Sequence, residues 1–341
     1  MRILQKLSAL VLGTALLAGC AAGTVPSATP AATAAPATTA ETAGAASTLR
    51  VVTTIFPVYD WVQTVAGAQT DHLQITRLLD GSTDLHSYQP SAADVAAIAG
   101  CDLFVYVGGA SDAWVEEALA QSPNPGRRVI NLMELLGSRV YTEETVEGME
   151  PEADHDDHDH GEEETDEHIW TSLRNAAELS AGIADVLGEL DPAHAADYTA
   201  NAADYGAQLN ELDARYAAAV EAAPGKTLLF ADRFPFRYLV EDYGLSYYAA
   251  FPGCSAETEA SFETVAFLAE KTAALDLPAV LTIEGSDGQI ARTVAETAGG
   301  DRPVLTMDAL QGTVPEGATY LSVMEDNLAV LRRALGAGEV A

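Results

Sequence analysis

Between residues 193 and 223 the chain runs about 30 residues without a proline; as one α-helix this stretch would measure on the order of 45 Å. That is longer than a single domain needs. On both sides of it, short apolar runs alternate with helical stretches, the pattern of parallel sheets covered by helices. The expected fold class is therefore α/β: two lobes with parallel-sheet cores joined by a long rigid linker helix. The lobes are expected over residues 49–192 and 224–341, with the linker at 193–223. No internal repeat at a solenoid period is present.

In the first lobe, residues 50–56, 72–79, 103–107 and 128–132 read as strands. Ser91 with Asp94 three residues later resembles a capping box that opens a helix, and Gly108-Gly109 ends the third strand. In the second lobe, residues 226–231, 246–251, 279–283 and 303–306 read as strands. Helices fall near 234–243, 261–275, 288–298 and 321–336.

The first 19 residues read as an export signal. Arg2 and Lys6 precede a short apolar stretch, too short for the roughly 20 residues a membrane-spanning helix needs, and Leu17-Ala-Gly-Cys20 follows. This ending resembles the bacterial lipoprotein box, in which the cysteine is lipidated; the alternative is an ordinary signal peptide. Residues 20–48 are almost wholly Ala, Thr, Pro, Ser and Gly, a composition that buries little and makes a flexible tether. The chain carries 51 acidic against 17 basic residues, a formal net charge of −34. That excludes nucleic acid as a partner and favours cations. Besides Cys20, only Cys101 and Cys254 remain. In an exported protein they form either a disulfide or two separate buried thiols.

Residues 154–170 read Asp-His-Asp-Asp-His-Asp-His-Gly-Glu-Glu-Glu-Thr-Asp-Glu-His-Ile-Trp and hold four of the seven histidines. His155, His158, His160 and His168 are interleaved with carboxylates, a donor set for zinc or manganese. No packed core holds so many charges, so residues 150–167 read as a solvated, metal-scavenging loop. The run closes on His168, before the apolar Ile169-Trp170 begins a packed segment.

In open parallel sheets, ligands bind beyond the carboxyl ends of the strands. His86 follows the second strand, His168 closes the acidic run, Asp232 ends the strand at 226–231, and Asp308 follows the strand at 303–306. Two imidazoles and two carboxylates, two from each lobe, would make a four-ligand metal site in the cleft. Taken singly each has a plainer reading: an exposed histidine for His86, a helix cap for Asp232, a turn residue for Asp308. Glu284 is an alternative ligand or a group that orients one.

Thr53-Thr-Ile-Phe-Pro57, Asp84-Leu-His-Ser-Tyr-Gln-Pro-Ser91, Asp102-Leu-Phe-Val-Tyr-Val-Gly-Gly109 and Asp166-Glu-His-Ile-Trp170 occur in that order. Together they resemble the zinc- and manganese-binding lipoproteins of bacterial ABC metal importers, over about residues 49–338. The resemblance implies His86, His168 and Asp308 as ligands, and a long rigid helix between the lobes. It departs at the third ligand: the family has His, or Glu in some manganese types, where this chain has Arg233. Asp232, one residue earlier, is the substitute we assign.

The function implied is capture of Zn(II), with Mn(II) as the alternative cargo, by a lipid-anchored extracytoplasmic monomer. It would deliver the ion to an ABC permease driven by a separate ATPase; the chain has no phosphate-binding Gly-x-x-x-x-Gly-Lys-Ser/Thr loop of its own. A secreted zinc metallohydrolase is the reading from another class, but His-Glu-x-x-His and Gly-x-Ser-x-Gly are both absent. An adhesin or passive metal buffer is a third.

Overall fold

Strands β1 (Leu49–Thr53), β2 (Leu73–Arg77), β3 (Leu103–Tyr106) and β4 (Arg128–Asn131) pair in parallel, in the order β2-β1-β3-β4. They alternate with helices α1 (Phe56–Ala66), α2 (Ala92–Gly100), α3 (Trp114–Gln121) and α4 (Leu132–Leu136). This is a computed structural model, and it describes residues 48–79, 83–150, 164–255, 259–312 and 314–337. After α5 (Leu173–Leu190) and α6 (Ala195–Ala222), the pattern is repeated. Strands β5 (Thr227–Phe234), β6 (Ser246–Pro252), β7 (Val280–Ile283) and β8 (Val304–Met307) form a second parallel sheet, ordered β6-β5-β7-β8. Its helices are α7 (Arg237–Tyr243), α8 (Phe262–Ala274), α9 (Gln289–Ala298) and α10 (Tyr320–Ala334). In each sheet the order reverses between the first and third strands, which opens a crevice at their carboxyl ends.

Local chemistry sets the element ends. The Ser91 hydroxyl accepts from Asp94 N–H and the Asp94 carboxylate accepts from Ser91 N–H, so the capping box that opens α2 is complete. Pro57 in the first turn of α1 has a backbone preset for a helix start. Asp232 and Arg233, expected just beyond a strand ending at Ala231, instead lie within β5. The β5–β6 register shifts between Phe230 and Arg233, and β5 runs on to Phe234.

The 28 residues of α6 span about 42 Å. Its face bearing Leu209, Leu212, Tyr216 and Ala219 is buried, at the three- and four-residue spacing of one helical stripe. Asn201 donates to Val65 O at 2.9 Å in the first lobe, and the Tyr216 hydroxyl donates to Met324 O at 2.6 Å in the second. One continuous apolar core runs from Val51 and Phe104 through Leu209 and Tyr216 to Phe230 and Leu281. A rigid-body opening of the lobes would have to split this core, so the helix acts as a brace rather than a hinge.

The chain from Tyr141 to Glu150 crosses onto the second lobe. Glu144 meets Arg237 at 2.8 Å, Lys271 meets Glu147 at 2.9 Å, and Glu150 N–H donates to Ala250 O at 2.9 Å. An antiparallel bridge, Thr142 to Thr165, then closes the base of the acidic run. His155, His158 and His160 of that run, and Cys20, lie outside the described residues. Both Cys101 and Cys254 are free thiols, so of the two sequence alternatives the disulfide is not formed. Among the described residues, no helix is long and apolar enough to cross a membrane.

Where α1 meets α10, the Asp60 carboxylate accepts from Tyr320 N–H at 3.0 Å, and Trp61 packs edge-on against the Tyr320 ring. Burial pushes Asp60 up to about 6, although the Tyr320 hydrogen bond opposes the shift. A carboxyl group raised in the folded state favours folding while protonated and loses that contribution as it ionises. Stability from this group is therefore full below about pH 4 and lost as pH rises to about 6. We predict that Asp60→Asn, which retains an acceptor for Tyr320, gains on the order of 2–3 kcal/mol relative to the parent across that window. Urea denaturation at pH 4 and pH 7 measures it; a difference that does not change with pH contradicts the assignment.

Candidate metal centre

His86 sits on a single 3-10 turn after β2, and its own N–H donates to Asp84 Oδ1 at 3.0 Å. His168 is fully buried at the start of another such turn. The two rings face each other with Nε2 atoms 3.1 Å apart. Zinc at 2.0–2.1 Å from each of two tetrahedral nitrogens would hold them about 3.3 Å apart. The pair is therefore set at close to ligand spacing.

Each imidazole is fixed from behind. Asp166 Oδ1 accepts from His168 N–H at 2.8 Å and lies 3.0 Å from His168 Nδ1. That carboxylate favours the Nδ1–H tautomer and leaves Nε2 with a free lone pair. His86 Nδ1 lies 2.9 Å from Ser111 Oγ and 3.6 Å from Glu167 Oε2. In the network that satisfies all four nitrogens, His86 Nε2–H donates to His168 Nε2, while Ser111 donates to His86 Nδ1. A cation that takes both Nε2 lone pairs shifts the His86 proton to Nδ1, and the Ser111 hydroxyl turns to accept it. Burial and the adjacent His168 push His86 down to about 3, so its imidazole is neutral and able to coordinate at neutral pH.

The acidic pair behind the histidines is itself built in. Glu167 Oε1 accepts from Ser111 N–H at 2.7 Å, and burial raises its carboxyl group above the ordinary value. A Cβ on Gly109, at φ +82°, would stand 2.5 Å from Glu167 Oε1, so only glycine lets this loop close over the carboxylate. Asp112 accepts from Val107 and Gly108 N–H groups, both at 3.0 Å, and pins the same loop. Trp170 Nε1 donates to Ala309 O at 2.7 Å and the Tyr320 hydroxyl donates to Trp170 O at 2.7 Å. Tyr238 donates to Asp166 O at 2.8 Å. The 166–170 segment is thus anchored to the second lobe at three points.

The four residues expected to converge do not all meet. Among the described residues, the group whose ligand atoms all lie within 4.8 Å of one another is His86, His168 and Cys254. Asp232 is turned aside: one oxygen accepts from the Thr282 hydroxyl and the other from Arg233 N–H at 2.9 Å. Asp308 accepts from Leu310 N–H at 2.7 Å, and its backbone is clamped by Asn327. Glu284 accepts from Ala309 N–H at 2.7 Å and Gln311 N–H at 3.0 Å. Burial, then the charge of Asp308, raises Glu284 to about 7. As placed, Glu284 shapes the turn that carries Asp308.

Arg233 points into the cleft instead. It meets Asp84 Oδ2 at 2.7 Å across the lobes and donates to Ser255 O at 3.3 Å. Burial opposes ionisation of Asp84, but the Arg233 guanidinium outweighs it and holds the carboxyl group below its ordinary value. Cys254, two residues past β6, was not a sequence candidate for the site. The rule that selected the ends of β5, β7 and β8 applies equally to β6 and would have found it.

A family model described as ZnuA, zinc-uptake complex component A, periplasmic, matches residues 51–334. The chain belongs to this family. It is 32% identical over 291 residues to the zinc-binding lipoprotein AdcA of Streptococcus pneumoniae, covering 84% of this chain and 55% of that protein. It thus spans about half the length of the AdcA relatives it matches. With the high-affinity zinc uptake system protein ZnuA of Bacillus subtilis it shares 28% identity over 292 residues, 84% of this chain and 88% of the relative. Among solved structures, the Zn(II)-bound ZnuA-like domain of S. pneumoniae AdcA superposes with a TM-score of 0.65 at 29% identity, covering 84% of this chain and 98% of that domain. The two-lobe α/β fold is that of the family.

Asp166 sets the His168 tautomer and also holds the His168 backbone N–H; asparagine keeps an acceptor for that N–H while removing the charge behind the ring. We predict that Asp166→Asn weakens divalent-metal affinity by about 10- to 100-fold. Calorimetric titration beside a thermal melt checks this; unchanged affinity removes Asp166 from the site.

Proposed function

We propose that this chain captures zinc between its lobes and delivers it to an ABC permease powered by a separate ATPase. The observation that carries the reading is the His86–His168 pair, with facing Nε2 atoms at 3.1 Å and an oxygen partner behind each ring. Family membership supplies the context, since the family is one of zinc-uptake components rather than of enzymes. Lipidation at Cys20 would tether the protein to the outer face of the cell membrane, and residues 20–48 would act as the tether. His155, His158 and His160 would raise the local metal concentration. A rigid helix and a shared core support small motions on loading, in the loops at the strand ends rather than between whole lobes.

Two experiments test this reading. His86→Ala should abolish the tight site while leaving the melting temperature of the metal-free protein within a few degrees of the parent. Competitive titration with zinc and manganese reads the loss; a retained tight site removes His86. Deleting residues 152–162 spares the Thr142–Thr165 bridge. It should lower total zinc stoichiometry and keep one tight ion per chain; loss of that ion would make the acidic run itself the site.

A further inference from the structure

We infer that Cys254 is a ligand to the captured ion, completing a His86–His168–Cys254 site, and that Arg233 in its ion pair with Asp84 fills the place where the resemblance puts a third histidine or glutamate. This rests on the capture reading above and names the donor set. Three observations carry it. The Cys254 sulfur and the two imidazole nitrogens all lie within 4.8 Å of one another. The thiol is free and sits beyond the carboxyl end of β6, on the cleft side of the sheet where ligands bind. Its loop is also held in place: Cys254 N–H donates to Glu143 Oε1 at 2.9 Å, and Arg233 donates to the following carbonyl, that of Ser255.

The residue before it shows how closely this loop approaches the histidines. A Cβ on Gly253 would stand 2.8 Å from Phe234 O, 3.0 Å from His168 Cε1 and 3.1 Å from His168 Nδ1. Only a glycine lets the backbone pack against the ring, and that packing brings the next side chain to the site. Arg233 cannot coordinate a cation, since its guanidinium has donors and no acceptor. Its role is to bind Asp84, the residue that caps the His86 turn, to the Cys254 loop. The third position has therefore moved from β5 to β6, and the side chain left at the old position clamps the two loops together.

The chemistry follows. A zinc-bound sulfur is a thiolate, so the free Cys254 thiol gives up its proton on binding. Coordination forms one metal–sulfur bond and breaks one S–H bond, and the proton leaves to bulk water. Two imidazoles and a thiolate make a soft set that takes zinc in preference to manganese, which prefers oxygen donors.

The test needs no variant to begin. The full chain is loaded with Co(II) in place of zinc, and the proposal expects an intense near-ultraviolet thiolate-to-cobalt absorption that Cys254→Ser lacks. Zinc should protect Cys254, located by peptide mass, from iodoacetamide. Cys254→Ser should weaken zinc by at least about 100-fold, more than loss of an outer-sphere partner, and narrow the preference over manganese. Absence of the absorption in the parent, with Cys254→Ser binding zinc within about threefold of it, overturns the proposal. If His86→Ala still abolishes binding in that case, zinc capture in the cleft stands and only the sulfur ligand falls. If His86→Ala binds normally as well, the capture reading fails too.

Discussion

Two imidazole nitrogens facing each other at 3.1 Å inside a protein are the constraint that the rest of this structure serves. Neither ring is free to turn away, because Asp166 holds one from behind and Ser111 with Glu167 holds the other. Those oxygens are placed in turn by Gly109, Asp112 and Tyr238. Each layer fixes the next, and the outermost layer is the carboxyl ends of parallel strands. Carboxylates crowd the back of the site, and the two rings present their Nε2 atoms to each other.

The same arrangement ties the lobes together. Residues 166–170 belong to the segment before α5, yet their hydrogen bonds end on Ala309, Tyr320 and Tyr238 of the second lobe. Arg233 and Asp84 add an ion pair across the cleft beside His86. With α6 bracing both lobes through one core, a large opening is costly. In the capture we propose, loading and release fall to side chains and short loops, beginning with the His86 proton and the Ser111 hydroxyl.

The alternation of strands and helices can be read from the sequence because apolar runs of strand length, bounded by Gly, Pro and Ser, leave few other solutions. His86 and His168 stand out for a similar reason: each is a polar residue at the edge of a packed segment. Asp232 does not behave as its position suggests, since β5 continues to Phe234 and its carboxylate finds partners in Thr282 and its own neighbour's N–H. The apolar stretch ends at Ala231, but hydrogen bonding carries the strand three residues further. Cys254 is hidden for another reason. Two cysteines in a chain read as exported suggest each other, and that reading masks the strand-end rule that also covers β6; in the folded structure Cys254 is free and stands beside two histidines.

The most direct measurement is an anomalous difference map at the zinc edge from crystals of the zinc-loaded protein. The account predicts one strong peak about 2.0–2.1 Å from both His86 Nε2 and His168 Nε2. A strong peak bound elsewhere, with nothing between those two nitrogens, would contradict it.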